Sequence, residues 1–176
     1  MINKEINKVL RTIPDFPSEG INFKDITPIL LDYNLSHKII DLFVDKLKDL
    51  KIDAIVGIES RGFLFGFLLA NRLRVPFIPI RKVGKLPGET LKYKYDLEYG
   101  SAEVEIHKND VKKDWNVIIH DDLLATGGTA LAAVELIEKF KNKNIVGAGF
   151  IINLPDLKGD KKLQAKGINI HSLMEF

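Results

Sequence analysis

The chain has 176 residues, 45% of them hydrophobic, and its 26 Lys and Arg against 24 Asp and Glu leave a formal net charge of +2. That is length for about one domain and apolar content for one core, and the near balance of interspersed charges calls for neither nucleic acid nor a membrane surface. The absence of cysteine excludes disulfides, a thiolate nucleophile and a cysteine zinc site, and no apolar stretch approaches membrane-spanning length, so the cytoplasm is the expected compartment.

In chain order, Ile2, Ile6, Val9 and Leu10 recur at helical spacing and predict a helix over Ile2–Arg11, after which T-I-P-D-F-P-S-E-G breaks into an irregular loop. Leu35, Ile39, Ile40, Phe43, Val44 and Leu47 make one apolar helix face, with Asn34 or Ser36 as its cap. Ala54–Ile58 is a buried strand, E-S-R-G turns into an apolar helix over Phe63–Leu73, and Val75–Ile80 is a second strand ending in the basic loop R-K-V-G-K-L-P-G. Leu91–Tyr95 and Ala102–His107 read as strands joined around L-E-Y-G. Trp115–His120, a helix over Ala130–Phe140, and strands at Ile145–Ile152 and Ile168–Leu173 complete the chain. Strands alternating with helices imply an α/β fold, a parallel sheet flanked by helices, in a single domain over residues 1–176. The Leu91–His107 pair breaks the rhythm and marks an inserted two-stranded flap.

The most informative stretch is V-I-I-H-D-D-L-L-A-T-G-G-T, Val117–Thr129. A β-branched strand hands over to a helix there, so the first helical N–H groups have no intrahelical partner, while Gly127 and Gly128 let the main chain approach a ligand closely. This is a phosphate cradle. No lysine follows Gly128, which excludes a mononucleotide P-loop, and the Rossmann glycine pattern is absent. Asp121 and Asp122 suit vicinal hydroxyls or a hydrated Mg²⁺. Phosphate, diol and metal together point to a phosphorylated ribose. The other loops at the carboxyl ends of the strands, E-S-R-G, R-K-V-G-K and N-L-P-D, fall at the edge where open α/β sheets bind ligands.

Ile118–Thr129 resembles the phosphoribosyl diphosphate (PRPP) motif of the type I phosphoribosyltransferase family. Ile13–Pro28, Gly57–Leu69, Arg81–Gly88, Leu97–Glu105 and Trp115–Thr129, in that order, resemble the members of the family that act on adenine. The resemblance implies transfer of the 5-phosphoribosyl group from PRPP to adenine, giving AMP and pyrophosphate in purine salvage, with Mg²⁺, on a fold with the inserted flap and an N-terminal hood segment. It also implies a homodimer in which the basic loop reaches into the neighbour's site.

Residue by residue, the same resemblance assigns Asp121 and Asp122 to the ribose hydroxyls and to Mg²⁺, directly or through water. Ala125, Thr126, Gly127, Gly128 and Thr129 would hold the 5′-phosphate. Arg61, with Arg81, Lys82 and Lys85, would meet the pyrophosphate, and the Glu59–Ser60 peptide is expected to be cis. Phe23 would stack on adenine while the backbone of Asn22 and Lys24 reads its amino edge and Leu154 covers the other face. Glu98, on the flap, would manage the purine proton in a site from which the closed flap excludes water, with Tyr99 packing beside it.

The alternatives to these roles are a surface arginine pairing with Glu59 for Arg61, a solvated loop for the basic run, an exposed turn glutamate for Glu98 and core packing for Phe23. His120 departs from the family's apolar residue at that position. It is expected to point away from the ligand and bond to a neighbouring element, the sharper alternative being a protonated imidazole that shifts the pH dependence of the acid pair. Rival functions are the same transfer to an oxopurine, for which lysine readout of the C6 oxygen is expected, and a PRPP-sensing regulator without turnover.

Overall fold

The structure, a computed structural model, describes residues 2–16, 18–96, 100–140 and 144–176; Glu98 and Tyr99 lie outside them, so their assigned roles rest on the sequence. Helix α1 spans Ile2–Val9, and strands β1 (Arg11–Ile13) and β2 (Phe23–Asp25) form a small antiparallel sheet. The hood segment therefore contains two short strands that flank the stretch whose prolines and glycine predicted irregular backbone. A 3₁₀ turn at Thr27–Leu31 leads into α2 (Tyr33–Leu47), whose cap is Asp32 and not Asn34 or Ser36. Asp32 Oδ1 accepts from the Leu35 N–H at 2.9 Å, while Ser36 is buried and donates its hydroxyl to the Ile29 carbonyl.

The main sheet has seven strands in the order β5-β6-β4-β3-β7-β8-β9, with β3 at Ala54–Ile58, β4 at Phe77–Lys82, β5 at Thr90–Asp96, β6 at Ser101–His107, β7 at Val117–Leu124, β8 at Ile145–Asn153 and β9 at Ile170–Glu175. Strands β4, β3, β7, β8 and β9 are parallel. The β5–β6 hairpin pairs with β4 through Arg81↔Glu105 and Lys82↔Val104, so the flap strands continue the main sheet antiparallel at its edge. Helices α1, α2 and α3 (Arg61–Leu73) share an apolar core with Ile55 and Ile118 on one face; α4 (Gly128–Glu138) covers Val117 and Ile119 on the other. The short α5 (Gly159–Ala165) follows the N-L-P-D turn and has no counterpart in the sequence-based expectations.

The chain runs from β3 outward to β4, then returns to lay β7 on the opposite side of β3. The crevice beyond β3 and β7 is thus the point where strand order reverses, and an open α/β sheet binds its ligand at such a point. Helix α3 lies close against β7 because Gly62 and Gly66 face it: a Cβ on Gly62 would stand 2.7 Å from the His120 carbonyl, and one on Gly66 3.2 Å from the imidazole.

Candidate active site

The strand predicted over Trp115–His120 instead runs over Val117–Leu124, which places both acids within β7, toward its carboxyl end. Alternation sends their side chains different ways. Asp122 is 1% exposed and its Oδ2 stands 2.9 Å from Arg61 Nε, an ion pair whose N–H is not aligned as a hydrogen bond. Asp121 accepts from the Asp122 N–H at 2.9 Å and faces the crevice. Burial and the neighbouring Asp122 charge push the Asp121 carboxyl well above its ordinary range.

Two cavities meet at these residues. One, of about 190 Å³, is lined by Arg61, Asp121 and the whole of Ala125–Thr129; the other, of about 400 Å³, by Glu59, Ser60, Arg61, Lys82, Asp121 and Thr129. Arg61, Asp121 and Thr129 belong to both. Gly127, at φ 79°, turns the loop into α4 in a conformation that disfavours any side chain. The Glu59–Ser60 peptide is cis, as expected.

Arg61 begins α3 and does not pair with Glu59. Besides Asp122 it meets the Phe23 ring, with the guanidinium carbon 5.0 Å from the ring centroid, so the hood strand β2 is joined to the acid pair through one cation. Phe16 packs edge-on against Phe23 at 5.2 Å. Asn22 is exposed; Lys24 donates to the Thr12 hydroxyl at 3.0 Å, leaving its backbone on the strand beside Phe23. Leu154 precedes the turn after β8 and packs against the core shared by α1, α2 and α3.

Glu59 instead binds the basic loop. It accepts from Arg81 Nε and from a terminal guanidinium nitrogen, both at 3.3 Å, and from the Lys82 N–H at 2.8 Å. Arg81 also donates to the Lys85 carbonyl. Burial would raise the Glu59 carboxyl, but the hydrogen bonds and the charges of Arg81 and Lys82 outweigh it and hold it below its usual range. Three further supports escaped the sequence reading. Tyr95 donates to the Thr129 hydroxyl at 3.3 Å, Lys162 donates to the Thr126 carbonyl at 2.9 Å, and Gly159 backs the loop so closely that a Cβ would lie 2.2 Å from the Ala125 carbonyl. The small residue before an acid-and-lysine run in K-G-D-K-K-L was the one visible signal.

His120 is fully buried, edge-on to Phe43 at 5.4 Å, in a space left by Gly66 and Gly149. It points into the core, as expected of its less eventful role. Its ring nitrogens make no hydrogen bond of good geometry, however, and a weaker contact with the Gly149 main chain does not offset burial, which lowers its pKa to about 4. Burial thus disfavours a protonated His120 beside the two carboxylates at neutral pH.

A glycine-rich turn into α4, an acid pair near the end of β7 and Lys82 of the basic loop meet at a crevice at the switch point, and whole-chain likenesses accompany them. The phosphoribosyl transferase domain family matches residues 29–171. The chain belongs to the phosphoribosyltransferase family. A curated adenine phosphoribosyltransferase of Clostridium botulinum is 52% identical over 167 residues, 95% of each chain. A crystal structure of the adenine phosphoribosyltransferase of Thermoanaerobacter pseudethanolicus superposes with a TM-score of 0.95 at 47% identity, covering 100% of both chains. The Saccharomyces cerevisiae enzyme, solved with D-2,5-dideoxy-2,5-imino-altritol 1,6-bisphosphate and adenine, gives a TM-score of 0.90 at 46% identity over 98% of each chain.

Proposed function

We infer that this phosphoribosyltransferase, one domain over 1–176, transfers the 5-phosphoribosyl group of PRPP to adenine, giving AMP and pyrophosphate. The observation that carries the donor is the pair of cavities sharing Arg61, Asp121 and Thr129, one suited to a 5′-phosphate and the other to a diphosphate. Adenine as acceptor is supported by identity to adenine-specific relatives across the chain, and by Phe23 held next to Arg61. Ala125–Thr129 offer loop amides and hydroxyls to the 5′-phosphate, Asp121 and Asp122 orient the ribose hydroxyls, and Arg61, Arg81, Lys82 and Lys85 stabilise the charge developing on the leaving pyrophosphate. Glu98 handles the purine proton, with Tyr99 beside it.

Mg²⁺ would neutralise diphosphate charge when bound with PRPP. The residues fit that arrangement: Asp121 lines both cavities, and an acid pair suffices for an ion that keeps waters and arrives on a phosphate. A homodimer is supported by Leu64, Phe67 and Leu68, exposed on α3 at spacings that share one helix face. No helix of the described residues is long and apolar enough to cross a membrane.

Conversion of labelled adenine to AMP with PRPP tests the reading, with hypoxanthine and xanthine as competitors. Adenine is expected to be the preferred base; a faster rate with an oxopurine, or binding of PRPP without turnover, would overturn it. Glu98→Ala is expected to lower kcat by about a hundredfold, the scale of lost general acid–base catalysis, with little change in PRPP affinity.

A further inference from the structure

Glu105 stands on β6 opposite Arg81 of β4 and Lys92 of β5. It is 2% exposed, and a carboxylate buried so far must have its oxygens paired. Oε1 accepts from the N–H groups of Lys85 at 2.9 Å and Leu86 at 3.0 Å, and Oε2 from the Thr90 hydroxyl at 3.0 Å. Burial opposes the charge, yet the bonds from Leu86, Thr90 and Lys85 outweigh it and keep the carboxyl below its usual range. One buried anion therefore gathers the far half of the basic loop and the first residue of the flap hairpin. The near half is fixed separately, where Glu59 takes Arg81 and the Lys82 N–H. Gly84, at φ 87°, makes the turn between the two anchors.

We infer that Glu105 is a positioning residue for pyrophosphate: it fixes the backbone of Lys85 and Leu86 so that the loop's cations are held in place before the anion arrives. This rests on the assignment of the basic loop to pyrophosphate. Preorganised charge stabilises a transition state because no loop motion accompanies the reaction, and a shift of about 1 Å at such a group costs up to about a hundredfold. Glu105 makes none of its hydrogen bonds to the phosphate loop, the acid pair or the hood, so the effect should be confined to one substrate half.

The experiment is steady-state kinetics in both directions on Glu105→Gln. The amide keeps the size and one accepting oxygen for the Lys85 and Leu86 N–H groups, but it removes the charge that strengthens both bonds and requires the Thr90 hydroxyl to turn and accept. The KM values for pyrophosphate and PRPP are expected to rise about tenfold or more, with those for adenine and AMP within about twofold. Thr90→Val, which removes a single bond at the same carboxylate, should raise the same two constants by less; it serves as the test if Glu105→Gln does not fold. Unchanged constants for all four substrates, or a parallel rise in all four, would overturn the proposal. Lys82→Ala separates the two levels: an unchanged pyrophosphate KM there would refute the loop's assignment itself, whereas a raised one beside an unaffected Glu105→Gln would refute only Glu105.

Discussion

Asp121 is disfavoured as an anion in the folded chain by burial and by Asp122, while the role proposed for it is to orient a ribose from the crevice it lines. Its folded pKa lies above the ordinary value of 3.8, so the unfolded chain gives up this proton more readily, and the stability it contributes is lost as pH rises through the folded pKa. Asp121→Asn is thus expected to raise Tm at high pH while weakening PRPP binding; a gain of about 1 kcal/mol moves Tm by roughly 2–4 °C in a chain of this size. Thermal melts with PRPP titration check both, and a lower Tm there would contradict the burial argument. His120 titrates with the opposite sign. Its pKa falls from 6.5 to about 4, so its contribution is complete above 6.5 and is lost as pH falls toward 4. His120→Val should leave the pH–rate profile unchanged and flatten that loss of stability, as read by denaturant unfolding across the window.

At the scale of elements, α5 and the phosphate loop act as one unit although 30 or so residues separate them in the chain. Gly159→Ala would set a Cβ 2.2 Å from the Ala125 carbonyl and 2.8 Å from the Gly127 nitrogen, both main-chain atoms that cannot rotate away. The expected result is a rise of about tenfold or more in the KM of PRPP and AMP, with that of adenine little changed, measured in forward and reverse assays. The elements legible in the sequence were those with strong periodicity: Ala54–Ile58 was placed residue for residue, and α2 by its apolar stripe. The misses have local causes. Asp32 caps α2 because the chain enters from a 3₁₀ turn, β1 and β2 are too short to show alternation, and α5 carries few buried residues.

For the whole molecule, the apolar face of α3 is the feature one chain leaves unexplained. Phe67 is 57% exposed beside Leu64 and Leu68, on a helix whose opposite face is buried against the sheet. For the homodimer proposed above, Phe67→Asp should shift sedimentation from dimer toward monomer; a dimer that persists in the variant, or a monomeric parent chain, would mean that this face is not the interface. Activity lost together with the dimer would support a basic loop acting between subunits, even though Arg81 already pairs with Glu59 in its own chain.

The donor chemistry was legible in the chain alone, because the glycine-rich turn and its acid pair are contiguous and their backbone geometry is local to Asp121–Thr129. The α/β class was legible for the same reason, since periodicity is a short-range property. The partners of the charged side chains came from the fold. Arg61 turns to Asp122 and Phe23, Glu59 to Arg81 and Lys82, and Glu105 to Lys85 and Leu86, because the parallel sheet brings separate strand ends together and a buried charge takes whichever donors the fold supplies. Sequence spacing carries no record of which those are.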